Sequence, residues 1–502
     1  MALYDIIGGK MRVLVTGEEM QSIDKYSIDK LGISSFVLME RAALSVCGHI
    51  EDDKRYLAIC GSGNNGGDAV AVARILVSKG IKADIMLCEE NEEKCSEGFR
   101  YQLNQAKIFG VNICKEVDFD KYDCIIDGIF GVGLKRDIAG KYKDIIDKIN
   151  ESSCKVISVD CPSGVDCNTG KIMGTAINAD KTITFGAMKK GLVLYPGAEC
   201  AGEIIVEDIG FPEKAFDEVL TSNNYITSAE DIDLLPKRKK YSNKGSYGKA
   251  VIIAGSKNMC GAAIMAARAC YAMGAGLVKV VTCEENRTII QNQVPEAILT
   301  TYGTNVTHIK DDIEWADVIL VGPGLSTCDE AKEIVNIVIE SDKKKVLDAD
   351  ALNILSLDNI LMKKLTNAIV TPHLGEMSRL IKKPINEIAS NITDSCEAFA
   401  KENEVVCVLK DARTVISNGK DYVINISGNN GMAKAGSGDV LAGMLAGILA
   451  AKDDIYESAI LGVYLHGVVG DMAAAKKGKY SMTPFDMINE ICNITSRVEA
   501  NQ

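Results

Sequence analysis

Short apolar runs of strand length recur along the chain, each closed by glycine- or aspartate-bearing text and followed by a stretch of helical length. Residues 56–60 (YLAIC) read as a buried strand entering GSGNNGGD at 61–68, and 69–78 then read as a helix stopped by Gly80. YDCIIDGIFGVG (122–133) and KVISVDCPSGVD (155–166) supply two more strands, ending at Asp127 and Asp160, and 182–207 reads as closing strands around GAMKKG and YPGAECAG. Periodicity fades between about 210 and 247, where PKRKKYSNKGSYGK forms a connector, and the boundary is placed near residue 224. The connector reads as solvated linker, with 244–249 open to the alternative of a loop over a second site. From 248 the alternation restarts, with a small-residue helix at 261–273 and a strand at 276–282. Strand-like runs follow at 316–321, 345–348, 368–371, 405–410 and 422–426, and the loop GNNGMAKAGSGD (428–439) runs into a helix at 440–451. The pattern predicts an α/β protein of two domains, 11–223 and 224–502.

Composition narrows the class. With 502 residues, 47% hydrophobic and 25% charged, the chain can bury large cores and fits a soluble cytoplasmic enzyme. Its 17 cysteines are scattered through apolar strands (Cys60, Cys88, Cys124, Cys407) without a metal-binding spacing, so reduced, buried thiols are expected. No apolar run reaches membrane-spanning length without glycine or charge, and MALYDIIGGK, ahead of Met11, reads as a leader or an alternative start. A net charge of −13 argues against a nucleic-acid surface.

Chemistry-bearing residues gather where strands end. In an open parallel sheet, ligands sit beyond the carboxyl ends of the strands, which would bring Asn65, Asp68, Asp127, Asp160 and Ser163 together. Asn65, Asp127 and Ser163 offer hard oxygen ligands for a monovalent or divalent cation. Lys135 and Arg136, beside Gly131 and Gly133, suit a diphosphate and equally suit a solvated surface pair. In the second half, Ser437, Gly438 and Asp439 stand at a helix N-terminus. Amides there can neutralise a transferring phosphoryl group while Asp439 takes a proton from the attacking hydroxyl, the alternative being a plain N-cap.

The motifs EMQSIDKYSIDKLGISSFVLMERAA, CGSGNNGGD, DGIFGVGLKR and SVDCPSGVD resemble those of NAD(P)H-hydrate epimerase domains. GPGL, KVLDADALN, TPHLGEM, LKDARTV and GMAKAGSGDVLAG resemble those of ADP-dependent NAD(P)H-hydrate dehydratase domains of the ribokinase-like group. The resemblance implies a Rossmann-like three-layer domain followed by a ribokinase-like one, and repair of the hydrates NADHX and NADPHX. The first domain would interconvert the R and S hydrates. The second would dehydrate the S hydrate as ADP becomes AMP and phosphate. By the same resemblance Asn64, Asn65, Gly66, Gly67 and Asp68, with Gly131, Val132, Gly133, Leu134, Lys135, Arg136 and Asp137, would hold the epimerase substrate. Asp160 would be the acid/base there, and Asn65, Asp127 and Ser163 would bind potassium. Ala262, Gly324, His373 and Asp439 would contact the dehydratase substrate, with Asp439 as base. Lys410, Asp411, Ala412, Arg413, Thr414 and Gly438 would hold the nucleotide, accompanied by magnesium.

The chain departs from the family pattern at Asp411, where glycine is usual, and at Arg41-Ala42-Ala43, where Asn-Ala-Gly is usual; the helix bearing the latter is expected at an oligomer interface. A homo-oligomer is expected from the family. The alternatives are a small-molecule kinase of the ribokinase-like group fused to a nucleotide-binding module, or an interaction module in place of the first enzyme.

Overall fold

The computed structural model describes residues 12–89 and 91–501, so the opening residues read as a leader lie outside the described part. One compact unit ends at Asn224 and a second begins at Tyr225.

The first unit is built on seven parallel strands in the order Asn112–Cys114, Lys82–Leu87, Arg55–Cys60, Cys124–Gly128, Lys155–Val159, Lys181–Phe185 and Glu203–Glu207. Side chains alternate across the sheet, as strand geometry requires. Leu57, Ile59 and Ile125 join a core with Ile145, Ile146 and Ile149 of helix Lys141–Glu151. Tyr56, Ala58 and Cys60 join another with helices Ser35–Cys47, Asn64–Ser78 and Glu97–Ile108. Helices on both faces make the expected three layers. The helix after the first glycine loop starts at Asn64, earlier than the apolar pattern suggests. A Cβ on Gly66 would stand 2.0 Å from the Gly61 carbonyl oxygen, and one on Gly61 would stand 1.9 Å from that of Ile129. Glycine lets the first helical turn close directly on the strand ends.

The second unit carries a ten-stranded sheet. Parallel strands run from Ile298–Tyr302 through Leu277–Cys283, Lys249–Ile253, Val318–Val321, Lys344–Leu347 and Ala368–Val370 to Val406–Leu409. Val415–Ser417 and Tyr422–Ile424 continue it antiparallel, and Tyr225–Ile226 closes the edge. Helices Cys260–Ala272 and Ser437–Ala451 pack backbone to backbone, because their small residues leave no side chain between them. A Cβ on Gly443 would lie 2.2 Å from the Ala266 carbonyl oxygen.

The connector does not cover the second glycine loop. The Gly276 amide donates to the Tyr247 carbonyl at 3.0 Å. A Cβ on Gly248 would meet the Ala450 carbonyl oxygen at 2.0 Å. Ala450 is eleven residues beyond Asp439 on one helix, or about 16 Å along its axis, so 244–249 lies at the end of the unit remote from that loop. Helix Ile455–Lys477 is long and apolar enough to cross a membrane, but 67% of its most apolar window is buried inside the protein, as in a core helix.

Gly443→Ala should destabilise the second unit by about 1–3 kcal/mol, since the methyl has no space without parting the helices. Urea unfolding measures this, and a loss under about 0.5 kcal/mol would contradict the close approach.

Candidate active sites

Strand ends and residues of four helices, Gly17–Asp29, Ser35–Cys47, Asn64–Ser78 and Glu97–Ile108, line a cavity of about 1050 Å³ in the first unit. Asp160 follows strand Lys155–Val159 with a φ of 64°, a left-handed conformation rare for an aspartate, held by its amide's 2.8 Å bond to the Ile183 carbonyl. Its Oδ1 accepts from the Thr184 hydroxyl at 3.0 Å and from Lys189 Nζ at 2.6 Å. Asp24 and Asp68 also line the cavity. Burial, followed by the charges of Asp160 and Asp24, pushes the Asp68 carboxyl well above the usual carboxylate range. Asp24 is raised by burial and then by Asp160.

Asp127 ends the neighbouring strand and is fully buried. It accepts four hydrogen bonds, from the hydroxyls of Ser158 (2.8 Å) and Ser163 (2.5 Å) and the amides of Ser163 (2.9 Å) and Ile129 (3.2 Å). Burial raises its pKa and these bonds oppose the rise. Asn65 lies beside this group: a Cβ on Gly131 would be 3.1 Å from its side-chain Cγ, and the Asn65 Nδ2 is buried without a partner. Asn65 thus packs on the loop 128–131 that follows Asp127, and Ser163 binds the same loop by accepting from the Phe130 amide at 2.8 Å.

Asn64, Asn65, Gly131, Val132, Gly133, Leu134, Lys135 and Arg136 all reach the cavity wall. Gly66 and Gly67 are buried in the helix start, and Asp137 is exposed outside the cavity lining. The helix bearing Arg41-Ala42-Ala43, expected at an oligomer interface, puts Leu38, Met39 and Ala42 against the cavity, because its apolar stripe packs on helix Asn64–Ser78.

In the second unit, helix Ser437–Ala451 starts from Gly436, whose φ of 97° ends the loop in a left-handed turn. Asp439 sits within the first turn and is not the N-cap. Burial, then the charge of Asp348, pushes its pKa up to about 6, against the opposing pull of Lys410. Asp348 is buried at the end of strand Lys344–Leu347 and accepts from Lys410 Nζ and the Thr371 hydroxyl, each at 2.7 Å. A Cβ on Gly438 would lie 3.6 Å from Lys410 Nζ, which puts Lys410 next to Gly438 and Asp439. The Ser437 hydroxyl there is buried without a partner. His466 donates its Nε2–H to the Ser437 carbonyl at 2.9 Å, and burial lowers its pKa to about 4, keeping it neutral.

A Cβ on Gly324 would approach that of Ala262 at 3.1 Å, so these two residues face one another. His373 caps helix Leu374–Ile381: its Nδ1 accepts from the Gly375 and Glu376 amides at 2.9 and 3.2 Å, which leaves the proton on the exposed Nε2. Asp411 and Ala412 are exposed, Arg413 donates to the Ile426 carbonyl at 3.0 Å, and the Thr414 hydroxyl donates to the Asp411 carbonyl. Lys189, Asp24, Asp348 and His466 were not singled out from the sequence. Asp348 stands where Asp127 and Asp160 do, at the end of an apolar strand, and that position was the available signal.

The family described as NAD(P)H-hydrate dehydratase matches residues 250–493, and that described as YjeF-related protein N-terminus matches 35–191. Bifunctional NAD(P)H-hydrate repair enzymes of Moorella thermoacetica and Thermofilum pendens are 34% and 32% identical to the chain, covering 97% and 94% of it and the same shares of themselves. The chain belongs to this family. The Escherichia coli repair enzyme is 32% identical over 95% of the chain and 93% of its own length. A ribokinase-like protein of Enterococcus faecalis with 31% identity covers 55% of the chain and 96% of itself at a TM-score of 0.50, so the second half of this repair-enzyme relative has the ribokinase-like fold expected of it.

Lys410→Met should cost about 3–5 kcal/mol in urea unfolding of the second unit, because Asp348 would stay buried without its cation. Adding Asp348→Asn to that variant should recover part of the loss. Additive losses in the double variant would contradict the pairing.

Proposed function

We propose that the chain repairs hydrated NADH and NADPH, its N-terminal unit interconverting the R and S hydrates and its C-terminal unit converting the S hydrate to NAD(P)H as ADP becomes AMP and phosphate. The observation that carries this reading is Asp439, its pKa raised by burial to about 6 and its place beside Lys410 and a helix N-terminus, in a chain that matches repair enzymes along nearly its whole length. Asp439 would accept the proton of the substrate hydroxyl as that oxygen attacks the terminal phosphorus of ADP and AMP leaves. The amides of Gly438 and Asp439 at the helix start, together with Lys410, would meet the charge on the transferring group. The carbon–oxygen bond then breaks with its electron pair going to phosphate, a far better leaving group than hydroxide, and loss of a ring proton restores the dihydropyridine. Glu376, whose pKa burial raises to about 7, and His373 border this group of charges.

In the first unit Asp160 would exchange the proton of the hydrated carbon's hydroxyl. If the ring opens, Asp160 takes that proton, the bond to ring nitrogen breaks with its electrons going to nitrogen, and the aldehyde rotates before reclosure. If hydroxide leaves instead, a protonated group must first give it a proton, and Asp68, held high by burial, suits that role. Asn64 and the loop 131–136 would hold the dinucleotide.

Potassium would fit a fully buried carboxylate, Asp127, that no ion pair neutralises among the described residues, with the side-chain oxygens of Asn65 and Ser163 as its further ligands. The ion would neutralise Asp127 and fix the loop that follows it. For magnesium, the described residues include no group of three His, Cys, Asp or Glu placed to hold a metal ion. It would therefore enter on the nucleotide phosphates with its own waters, where it screens their charge.

With pure S-NADHX and ADP, phosphorus NMR should show AMP and inorganic phosphate rising together with reduced-nicotinamide absorbance. A stable phosphorylated acceptor would instead support the kinase alternative. Asp439→Asn should lower the rate by about 10²–10⁴-fold. Because the base must be ionised, kcat/KM should fall as pH drops through about 6, where an ordinary aspartate would hold its activity to about 4. A profile flat to pH 5 would contradict the role. Replacing potassium by tetramethylammonium should lower the Tm of the first unit in the wild type and leave that of Asp127→Asn unmoved, and an equal response in both would remove the ion from this site.

A further inference from the structure

Lys189 has a place the reaction scheme above leaves unexplained. Its side chain is 1% exposed, four residues beyond the end of strand Lys181–Phe185, and its backbone is fixed by the parallel pairing of Met188–Lys189 with Leu14–Val15. A buried ammonium is costly unless hydrogen-bonded acceptors surround it. Two do: Asp160 Oδ1 at 2.6 Å and the Phe185 carbonyl at 2.7 Å.

Four carboxylates line the same cavity, Asp24 from helix Gly17–Asp29, Asp68 from helix Asn64–Ser78, Glu97 from the start of helix Glu97–Ile108, and Asp160 from its own strand end. Against them the cavity holds one buried cation, Lys189, since Lys135 and Arg136 on its lining are exposed. Cys161, buried next to Asp160, is a further titratable group that interacts with both Asp160 and Lys189, as Asp24 and Asp68 do with Asp160. Oδ1 of Asp160 is taken up by Lys189, Thr184 and the Phe185 amide, and among the described residues no hydrogen bond engages Oδ2.

We propose that Lys189 is the positioning residue of the epimerase site: it fixes one oxygen of Asp160, presents the other to the hydroxyl of the hydrated nicotinamide ring, and supplies the positive charge that balances a carboxylate set between two others. The assignment rests on reading the first unit as an epimerase. The strained backbone of Asp160 belongs to the same device, because the left-handed turn aims the carboxylate at Lys189 and away from the normal run of the strand.

The test measures exchange between R- and S-NADHX in the full-length protein, following each epimer by chromatography without ADP. Lys189→Met and Lys189→Ala should lose about 10²-fold or more in kcat with KM within about threefold of the wild type, the pattern of a misplaced catalytic group. Lys189→Arg should retain more activity than either. Propylammonium should restore Lys189→Ala in a saturable way while propanol does not, which a purely structural lysine would not show. Full exchange by Lys189→Met, or loss without rescue by arginine or by the amine, would overturn the proposal. Absence of exchange in the wild type would instead remove the epimerase reading itself.

Discussion

A buried lysine pressed against an aspartate at the carboxyl ends of a parallel sheet is the constraint on which each site is built. In the first unit the pair is Lys189 with Asp160 at 2.6 Å, and in the second it is Lys410 with Asp348 at 2.7 Å. Neither ion could stay there alone, because taking an unpaired charge out of water costs more than most single contacts return. Each pair therefore fixes the strand ends that carry it, and each leaves a third group, Asp68 or Asp439, whose carboxyl is raised by burial and by its acidic neighbours. Carboxyls raised in this way can hold or accept a proton near neutral pH.

The two sheets reach this arrangement by one route. Parallel strands turn their carboxyl ends to the same side, and a glycine turn after a strand or loop starts a helix whose free amides face the same crevice. Gly61 and Gly66 allow this in the first unit and Gly436 in the second, where a side chain would strike backbone or force a disfavoured turn. What differs is the position of the acid. Asp439 lies within the first helical turn next to amides suited to phosphate, whereas Asp160 lies on a strand end facing a cavity large enough for a dinucleotide portion. The family resemblance of each half follows the same division.

The strand-ending aspartates and both glycine loops were legible in the sequence, because apolar runs closed by Asp or Gly have few other uses in an α/β chain. The short strand Val415–Ser417 was not, since three residues beside a polar turn carry no period. Lys189 was hidden for a different reason. In GAMKKG it looks like a solvated turn, and only the pairing of Met188–Lys189 with Leu14–Val15, far away in sequence, buries it. His373 shows the reverse: HLGE has the spacing of a capping box, but histidine is not a usual cap, so its two accepted amide bonds emerged only in three dimensions. Of the two readings of the connector, the solvated linker fits its exposed residues 241–246, and the loop over the second site does not hold for 244–249, because sequence alone does not tell which end of a helix a loop meets.

The most direct measurement is the fraction of reduced-nicotinamide absorbance recovered from an equal mixture of R- and S-NADHX with ADP, magnesium and potassium, over a time short against spontaneous epimerisation. Two sites of the proposed kinds in one chain require complete recovery by the wild type, recovery of the S half alone by Asp160→Asn, and none by Asp439→Asn. Rapid complete recovery by Asp160→Asn, or no recovery by the folded wild type, would contradict the assignment.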